Sequence, residues 1–314
     1  MSLHVMPRPY ISSVHSLHYS PPKAHLARGG NCWIGEVDNT TVLKYPQTQE
    51  KTKWELQIEA KMLDVLGSHP RVVRSKGLTG DGLLLEFAPH GNLHDYLTAH
   101  PETSLEKRLA WCIQATEALG YAHSKRILHC DIRHDNFLLD VNLDLKLADF
   151  QGQHFSADGK ILLDGLSLES TKAYLPRTPA DHARVTTDLF ALGSAIYFIM
   201  MGHEVFPDLD NTDEDEIERR FCADEFPTDQ HLCCRITENC WKQFYSSAEQ
   251  VLVDLKGISD AIARGERPNY DTERIFTVSN EDGHLPTTPW LTGLCDEALA
   301  PKQPPRIRQL VGFD

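Results

Sequence analysis

Residues 127–152 constrain the rest of the chain more than any other stretch. Two short apolar runs, 137–139 and 145–148, flank a turn rich in Asp and Asn, the pattern of a β-hairpin. Asp131 and Asn136 precede the hairpin and Asp149 leaves it. Three oxygen-bearing side chains carried by one hairpin can converge on a single point, which is the ligand set that a hard cation such as Mg²⁺ requires. Phosphoryl transfer is the chemistry such a set suits. The plainer reading, that these are the solvated ends of an ordinary hairpin, accounts for each residue singly but not for their order and separation together.

The chain has 314 residues, 41% of them hydrophobic, enough to bury a substantial core in one large or two small lobes. Met1 to Tyr10 is interrupted by Pro7 and Pro9 and shows no cationic, apolar, small-residue leader, so secretion is not expected. The longest apolar run, Leu189 to Met201, is shorter than the roughly 20 residues of a membrane helix. It is expected to be a buried core helix, with no membrane insertion. Eight cysteines without an extracellular spacing pattern point to reduced thiols and an intracellular setting, cytoplasmic or nuclear. Cys222, His231, Cys233, Cys234 and Cys240 can be imagined as zinc ligands, but they lack a paired Cys-x-x-Cys, and incidental cysteines are the preferred reading. A formal charge of −14 without a basic stripe argues against nucleic acid as a partner.

In chain order, residues 1–26 show no convincing period and are expected to form a loosely attached leader. Gly30-Asn-Cys-Trp-Ile-Gly35-Glu-Val37 and Val42-Leu-Lys44 predict two strands joined at Asp38-Asn39, with Gly30 and Gly35 letting backbone pass close over a phosphate. Residues 48–66 predict a helix, with Ile58, Met62, Leu63 and Leu66 at helical spacing and a stop at Gly67-Ser68-His69-Pro70. Glu59 falls on its apolar side, where a carboxylate wants a cationic partner, and Glu55 is the competing candidate. Residues 82–93 predict a buried strand running into a turn, with the cleft between lobes near 88. Thr103-Ser-Leu-Glu106 offers a capping box for a long helix with Leu105, Leu109, Cys112, Ile113, Thr116 and Leu119 on its apolar face. After Gly152 comes an irregular stretch to about 177, long enough to be functional or mobile. Asp208 to Glu218 is strongly acidic, a solvated loop by default or, more sharply, an attractor of basic substrates. Residues 263–314, ending in Pro304-Pro305-Arg-Ile-Arg308, predict an extended tail.

Residues 129–136 read His-x-Asp-x-x-x-x-Asn, and 149–150 read Asp-Phe followed by a Gly one place late. In this the chain resembles the catalytic loop and magnesium-binding turn of the eukaryotic protein kinases. The resemblance implies an α+β bilobal fold, with a small β-rich N-lobe (about 27–88) carrying one main helix and a larger, mainly helical C-lobe (about 89–262). It also implies ATP and Mg²⁺ as cofactors, and a protein substrate phosphorylated on Ser or Thr. On it Asp131 would accept the proton of the substrate hydroxyl, Asn136 would hold a second Mg²⁺, and Asp149 would bind the Mg²⁺ bridging the phosphates. Arg133 stands where serine/threonine kinases carry a lysine that steadies the γ-phosphate. Lys44 matches the strand lysine of the α- and β-phosphates, with Glu59 as its partner. Gly30-x-Cys32-x-x-Gly35-x-Val37 looks like the Gly-x-Gly-x-x-Gly-x-Val loop. Val37, Val42 and Leu138 would enclose adenine, Leu85 would be the gatekeeper, and the backbone of Glu86 and Ala88 would face the base.

Four departures accompany the resemblance: Cys32 and Gln151 for glycines, Cys130 for the arginine before the catalytic aspartate, and Arg177 for the glutamate that ends the activation segment. They support the alternative of a pseudokinase, which keeps the fold and binds nucleotide or a partner without efficient phosphoryl transfer. None of the four removes a metal ligand or the base. Asp188 would brace the catalytic-loop backbone or simply cap a helix. Cysteine at 130 cannot pair with a phosphate on Ser156, Ser167, Ser170 or Thr171, so any activity is expected to be constitutive or set by a partner.

Overall fold

The computed structural model describes residues 24–28, 31–47, 53–178 and 182–266. Most of the expected leader and nearly all of the expected tail lie outside these residues.

Strands β1 (Ala24–Arg28), β2 (Cys32–Asp38) and β3 (Thr41–Pro46) precede helix α1 (Lys53–Leu66), and β4 (Ser75–Leu78) and β5 (Leu83–Glu86) complete an antiparallel five-stranded sheet in the order β1-β2-β3-β5-β4. β1 begins upstream of residue 27, so the sheet takes in residues that the sequence reads as leader. The β2–β3 turn sits at Asn39-Thr40, one residue later than expected, because the Asp38 carboxylate accepts a 2.8 Å hydrogen bond from the Thr40 amide and closes an Asx turn there. A register shift between Glu36 and Asp38 leaves Val37 in a bulge. α1 buries Leu56, Glu59, Ala60, Leu63 and Leu66, a stripe at helical spacing, against the sheet.

The second lobe opens with α2 (Leu93–Ala99) and α3 (Leu105–Ser124). Ser104 caps α3 by accepting from the Lys107 amide at 3.3 Å, while the Thr103 hydroxyl turns back to the His100 carbonyl at 2.7 Å, so the cap falls one residue after the expected box. β6 (Ile127–Leu128) leads to the hairpin of β7 (Phe137–Leu139) and β8 (Leu145–Leu147), paired Phe137 to Leu147 and Leu139 to Leu145 as the apolar runs predict. The stretch after Gly152 is not irregular throughout. β9 (Gln153–Phe155) pairs with both β6 and β10 (Ile161–Asp164). Strands this short, one with a register shift, leave no period in the sequence to read.

α4 (Val185–Met201) is buried almost all round, the burial pattern of a core helix. α5 (Glu214–Cys222), α6 (Cys234–Trp241) and α7 (Ala248–Ala263) pack about α3 and α4. A Cβ at Gly193 would come 2.7 Å from the Cys240 Cβ, so only glycine lets α4 and α6 approach this closely. Trp111, Phe137, Phe150, Phe190 and Tyr197 are each below 2% exposed. Each large apolar side chain buried this way contributes about 1.5–3 kcal/mol. The acidic run 208–218 is in part helix rather than all loop, because Glu214, Asp215 and Glu216 occupy the first turn of α5, where the helix dipole favours carboxylates. The result is an α+β bilobal fold, a sheet lobe with one helix and a helical lobe. Among the described residues no helix is long and apolar enough to cross a membrane.

Candidate active site

Three elements from distant parts of the chain meet at Lys44. β3 carries the lysine, α1 turns Glu59 inward, and Asp149 stands two residues beyond the end of β8. Lys44 Nζ lies 2.7 Å from Glu59 Oε2 and 2.6 Å from Asp149 Oδ1. Burial alone would lower the lysine pKa, but Asp149 and then Glu59 outweigh it, so the ammonium is held charged. Burial pushes the Glu59 carboxyl up against the pull of Lys44. For Asp149 the burial effect is overcome by Lys44 and the carboxylate stays low. Glu59 is wholly enclosed, whereas 39% of the Asp149 side chain remains open to the cleft. Glu55, the competitor for this role, is half-buried and accepts from Asn31 Nδ2 at 3.4 Å instead. The two glutamates lie four residues apart on one helix face, and the one the sequence favours, Glu59, is the one that meets Lys44.

The loop 129–136 is built from below by Asp188. Its carboxylate accepts the backbone amides of His129 and Cys130 at 2.8 and 2.9 Å and lies 2.9 Å from His123 Nε2. Burial would raise this carboxyl, but the hydrogen bond with His123 and the one from the His129 amide help hold it low. The N-cap of α4 is Arg184, so bracing the loop, not capping the helix, is the role Asp188 plays. The brace lets Cys130 sit at a φ of 61°, a left-handed conformation that few non-glycine residues adopt, and Asp149 is held likewise at 63°. His129 Nδ1 accepts from the Asp131 amide at 3.3 Å and Nε2 donates to the Ala148 carbonyl at 2.9 Å, so one ring ties the loop to the end of β8. Phe150 packs edge-on to that ring with centroids 4.9 Å apart.

Asn136 Nδ2 donates to the Asp131 carbonyl at 2.8 Å and to its carboxylate at 3.0 Å. Burial raises the Asp131 pKa, with Arg133 and His129 pulling it back only in part. Arg133 is fixed by a 2.6 Å bond to Asp135. Asp131, Arg133 and Asn136 thus share one short loop, while Lys44, Glu59 and Asp149 form a second, directly bonded group. Magnesium suits the donors present, since Mg²⁺ takes one or two protein oxygens and completes its shell with phosphate and water. The Asp149 carboxylate and the Asn136 side-chain oxygen are such donors, and among the described residues no hydrogen bond to that side-chain oxygen competes. No three His, Cys, Asp or Glu side chains among the described residues group as metal ligands, and Cys222, His231, Cys233, Cys234 and Cys240 do not gather.

The positions read as adenine-binding are less uniform. Val42 and Ala88 are buried, Leu138 lies half-buried on β7, and Leu85 pairs with Val42 across β3 and β5. The Glu86 side chain is engaged by Lys146 at 2.8 Å and by the Arg74 amide at 2.9 Å, and its own amide donates to the Arg74 carbonyl at 2.9 Å. Gly30 lies outside the described residues. Gly35 pairs with Leu43 within β2, inside the first strand of the predicted hairpin. Antiparallel partners share a face, so Ile34 and Glu36 stand with Lys44 and Val42, and Val37 occupies the bulge beside them. Two tertiary links escaped the sequence reading. Gln151 Nε2 reaches Glu59 Oε2 at 3.4 Å, and His123 supports Asp188. Neither carries a local signal, because each partner lies far away in the chain.

A sheet lobe with one inward glutamate, a helical lobe with a braced Asp–Asn loop, and a lysine shared between them define the protein-kinase class of fold. The chain belongs to the protein kinase domain family, whose model matches residues 35–258. It is 30% identical over 184 residues to the serine/threonine-protein kinase SIK2 of Gallus gallus, covering 56% of this chain and 22% of that protein. It is 32% identical over 165 residues to Aurora kinase A-A of Xenopus laevis, covering 50% and 39%. With the Aurora kinase of Schizosaccharomyces pombe it shares 29% over 168 residues, covering 51% and 44%. The chain therefore spans less than half the length of each of these relatives.

Proposed function

We propose that the unit from β1 to α7 is an ATP- and Mg²⁺-dependent kinase of Ser/Thr hydroxyls on protein substrates. The observation that carries this reading is the Lys44 ammonium, shared at 2.7 and 2.6 Å between a buried glutamate and a cleft-facing aspartate. An ammonium held charged beside an open carboxylate suits a polyphosphate and its cation together. Asn136 and Asp149 would hold Mg²⁺, which when bound neutralises charge on the phosphate oxygens. Lys44 would grip the phosphates, with Glu59 orienting it. Asp131 would orient the substrate hydroxyl and take its proton, its geometry set by Asn136 and His129. Arg133 would face the transferred phosphoryl group. Val42, Ala88 and Leu138 would enclose the base against the backbone at Glu86.

Cys130 and Gln151 favour one rival, nucleotide binding without turnover, since Gln151 uses its side chain on Glu59 where the family resemblance implies glycine. The deciding experiment is incubation of purified protein with Mg²⁺, labelled ATP and generic protein substrates, beside Asp131→Asn. Label transfer by the parent and not by the variant supports the kinase reading. Binding without transfer by the parent overturns it in favour of the rival.

A further inference from the structure

Cys130 is buried at 2% exposure where a cation would be needed to bind a phosphorylated activation segment. The charges acting on its thiol are those of Asp188, Glu169 and Asp164, all negative, with Arg177 the one cation among the principal influences. An ion pair within the segment ties two of its residues together. Arg177 Nη2 donates to Glu169 Oε2 at 2.8 Å, with the two side chains 5% and 0% exposed. Arg177 also donates to the Leu175 carbonyl at 3.3 Å and lies over the Tyr174 ring, 4.4 Å from its centroid. Between the two ends of this pair sit Ser170, Lys172 and Ala173, which together with Ile132, Arg133 and Phe198 line a small pocket beside the loop that carries the candidate base.

We propose that the Glu169–Arg177 pair is a permanent brace standing where a phosphate-dependent one would act, holding the 170–173 wall of the cleft against the Asp131 loop without any modification of the segment. Arg177 Nη2 is already engaged by an enclosed glutamate, so a phosphate would have to displace it. A phosphate at Ser167 or Ser170 would compete with Glu169 for Arg177 and add to the carboxylates around Cys130. Breaking a buried pair at one end leaves an uncompensated charge, whereas replacing both ends with apolar groups of similar volume is close to neutral. The functional consequence rests on the kinase reading of Asp131, but the brace itself is testable without turnover.

The test is amide hydrogen exchange over residues 161–178 in the full chain after exhaustive phosphatase treatment. Protection equal to that of the untreated protein is expected, and tenfold or faster exchange after dephosphorylation overturns the brace. Glu169→Gln and Arg177→Met, each alone, are expected to speed exchange in this segment at least tenfold while α3 and α4 keep their protection. The Glu169→Met/Arg177→Met double variant is expected to recover most of it. Single variants that exchange like the parent would also overturn the proposal. If a single variant fails to fold, the phosphatase comparison on the native chain still decides.

Discussion

Lys44 Nζ and Asp149 Oδ1 lie 2.6 Å apart although 105 positions separate them in the chain. Removing the ammonium would leave Asp149 facing the wholly enclosed Glu59, two carboxylates without their counter-charge. Loss of one partner from a buried pair costs about 3–5 kcal/mol. Lys44→Met is therefore expected to lower stability by that order in urea unfolding and to abolish the rise in Tm caused by ATP with Mg²⁺. Adding Glu59→Gln should recover part of the stability and none of the nucleotide response. An undiminished shift in Lys44→Met would remove Lys44 from the nucleotide site.

Asp131 meets the substrate hydroxyl, on the proposed reading, only as the bond to phosphorus forms, so its removal acts on the transition state rather than on binding. Asp131→Asn is expected to reduce kcat by about 10²-fold to 10⁴-fold, the usual loss for a general base, with ATP affinity within a factor of about two. Steady-state kinetics beside isothermal titration separate the two quantities. Equal losses in both would mean that Asp131 supports the nucleotide pocket instead.

At Asp188 the expected defect is architectural. Its two oxygens take two backbone amides and meet His123, all buried. Asparagine has one acceptor oxygen and would turn an amide donor toward a backbone N–H. Leaving a buried donor unpaired costs about 1–3 kcal/mol. Asp188→Asn should therefore lose about 2 kcal/mol or more in chemical denaturation, and nuclear magnetic resonance should show the amides of His129 and Cys130 displaced. Unchanged amide shifts would contradict the brace.

His231 supplies a pH test of the C-lobe core. Its Nδ1 accepts from the Cys233 amide at 3.2 Å, a role only the unprotonated nitrogen can fill, and burial holds its pKa at about 4 against an ordinary 6.5. The folded state keeps His231 neutral while the unfolded chain takes up a proton below 6.5, so this contribution is complete above about pH 6.5 and is lost as pH falls toward 4. The slope from one such group cannot exceed about 1.4 kcal/mol per pH unit. His231→Asn should flatten the dependence of unfolding free energy on pH in that window. Glu204, held at about 2 by His134, loses its contribution only as pH falls below about 4.5, so the upper part of the window reports on His231 without it. An unaltered slope in the variant would mean that other groups set it.

Sequence patterns were sufficient where the signal is local. The β7–β8 hairpin, the α1 stripe and the buried character of α4 all follow from residues a few positions apart, because side-chain periodicity and turn chemistry act over that range. The order of Asp131, Asn136 and Asp149 about the hairpin marked the site for the same reason. Tertiary structure alone decided that β9 pairs with both β6 and β10 and that Glu169 closes on Arg177. It also brought Gln151 to Glu59 and Asp188 under the 129–136 loop. A one-residue change of register reverses the face of a strand, and a salt bridge requires only that two charges meet when the lobes close. Neither leaves a mark in the local pattern of residues.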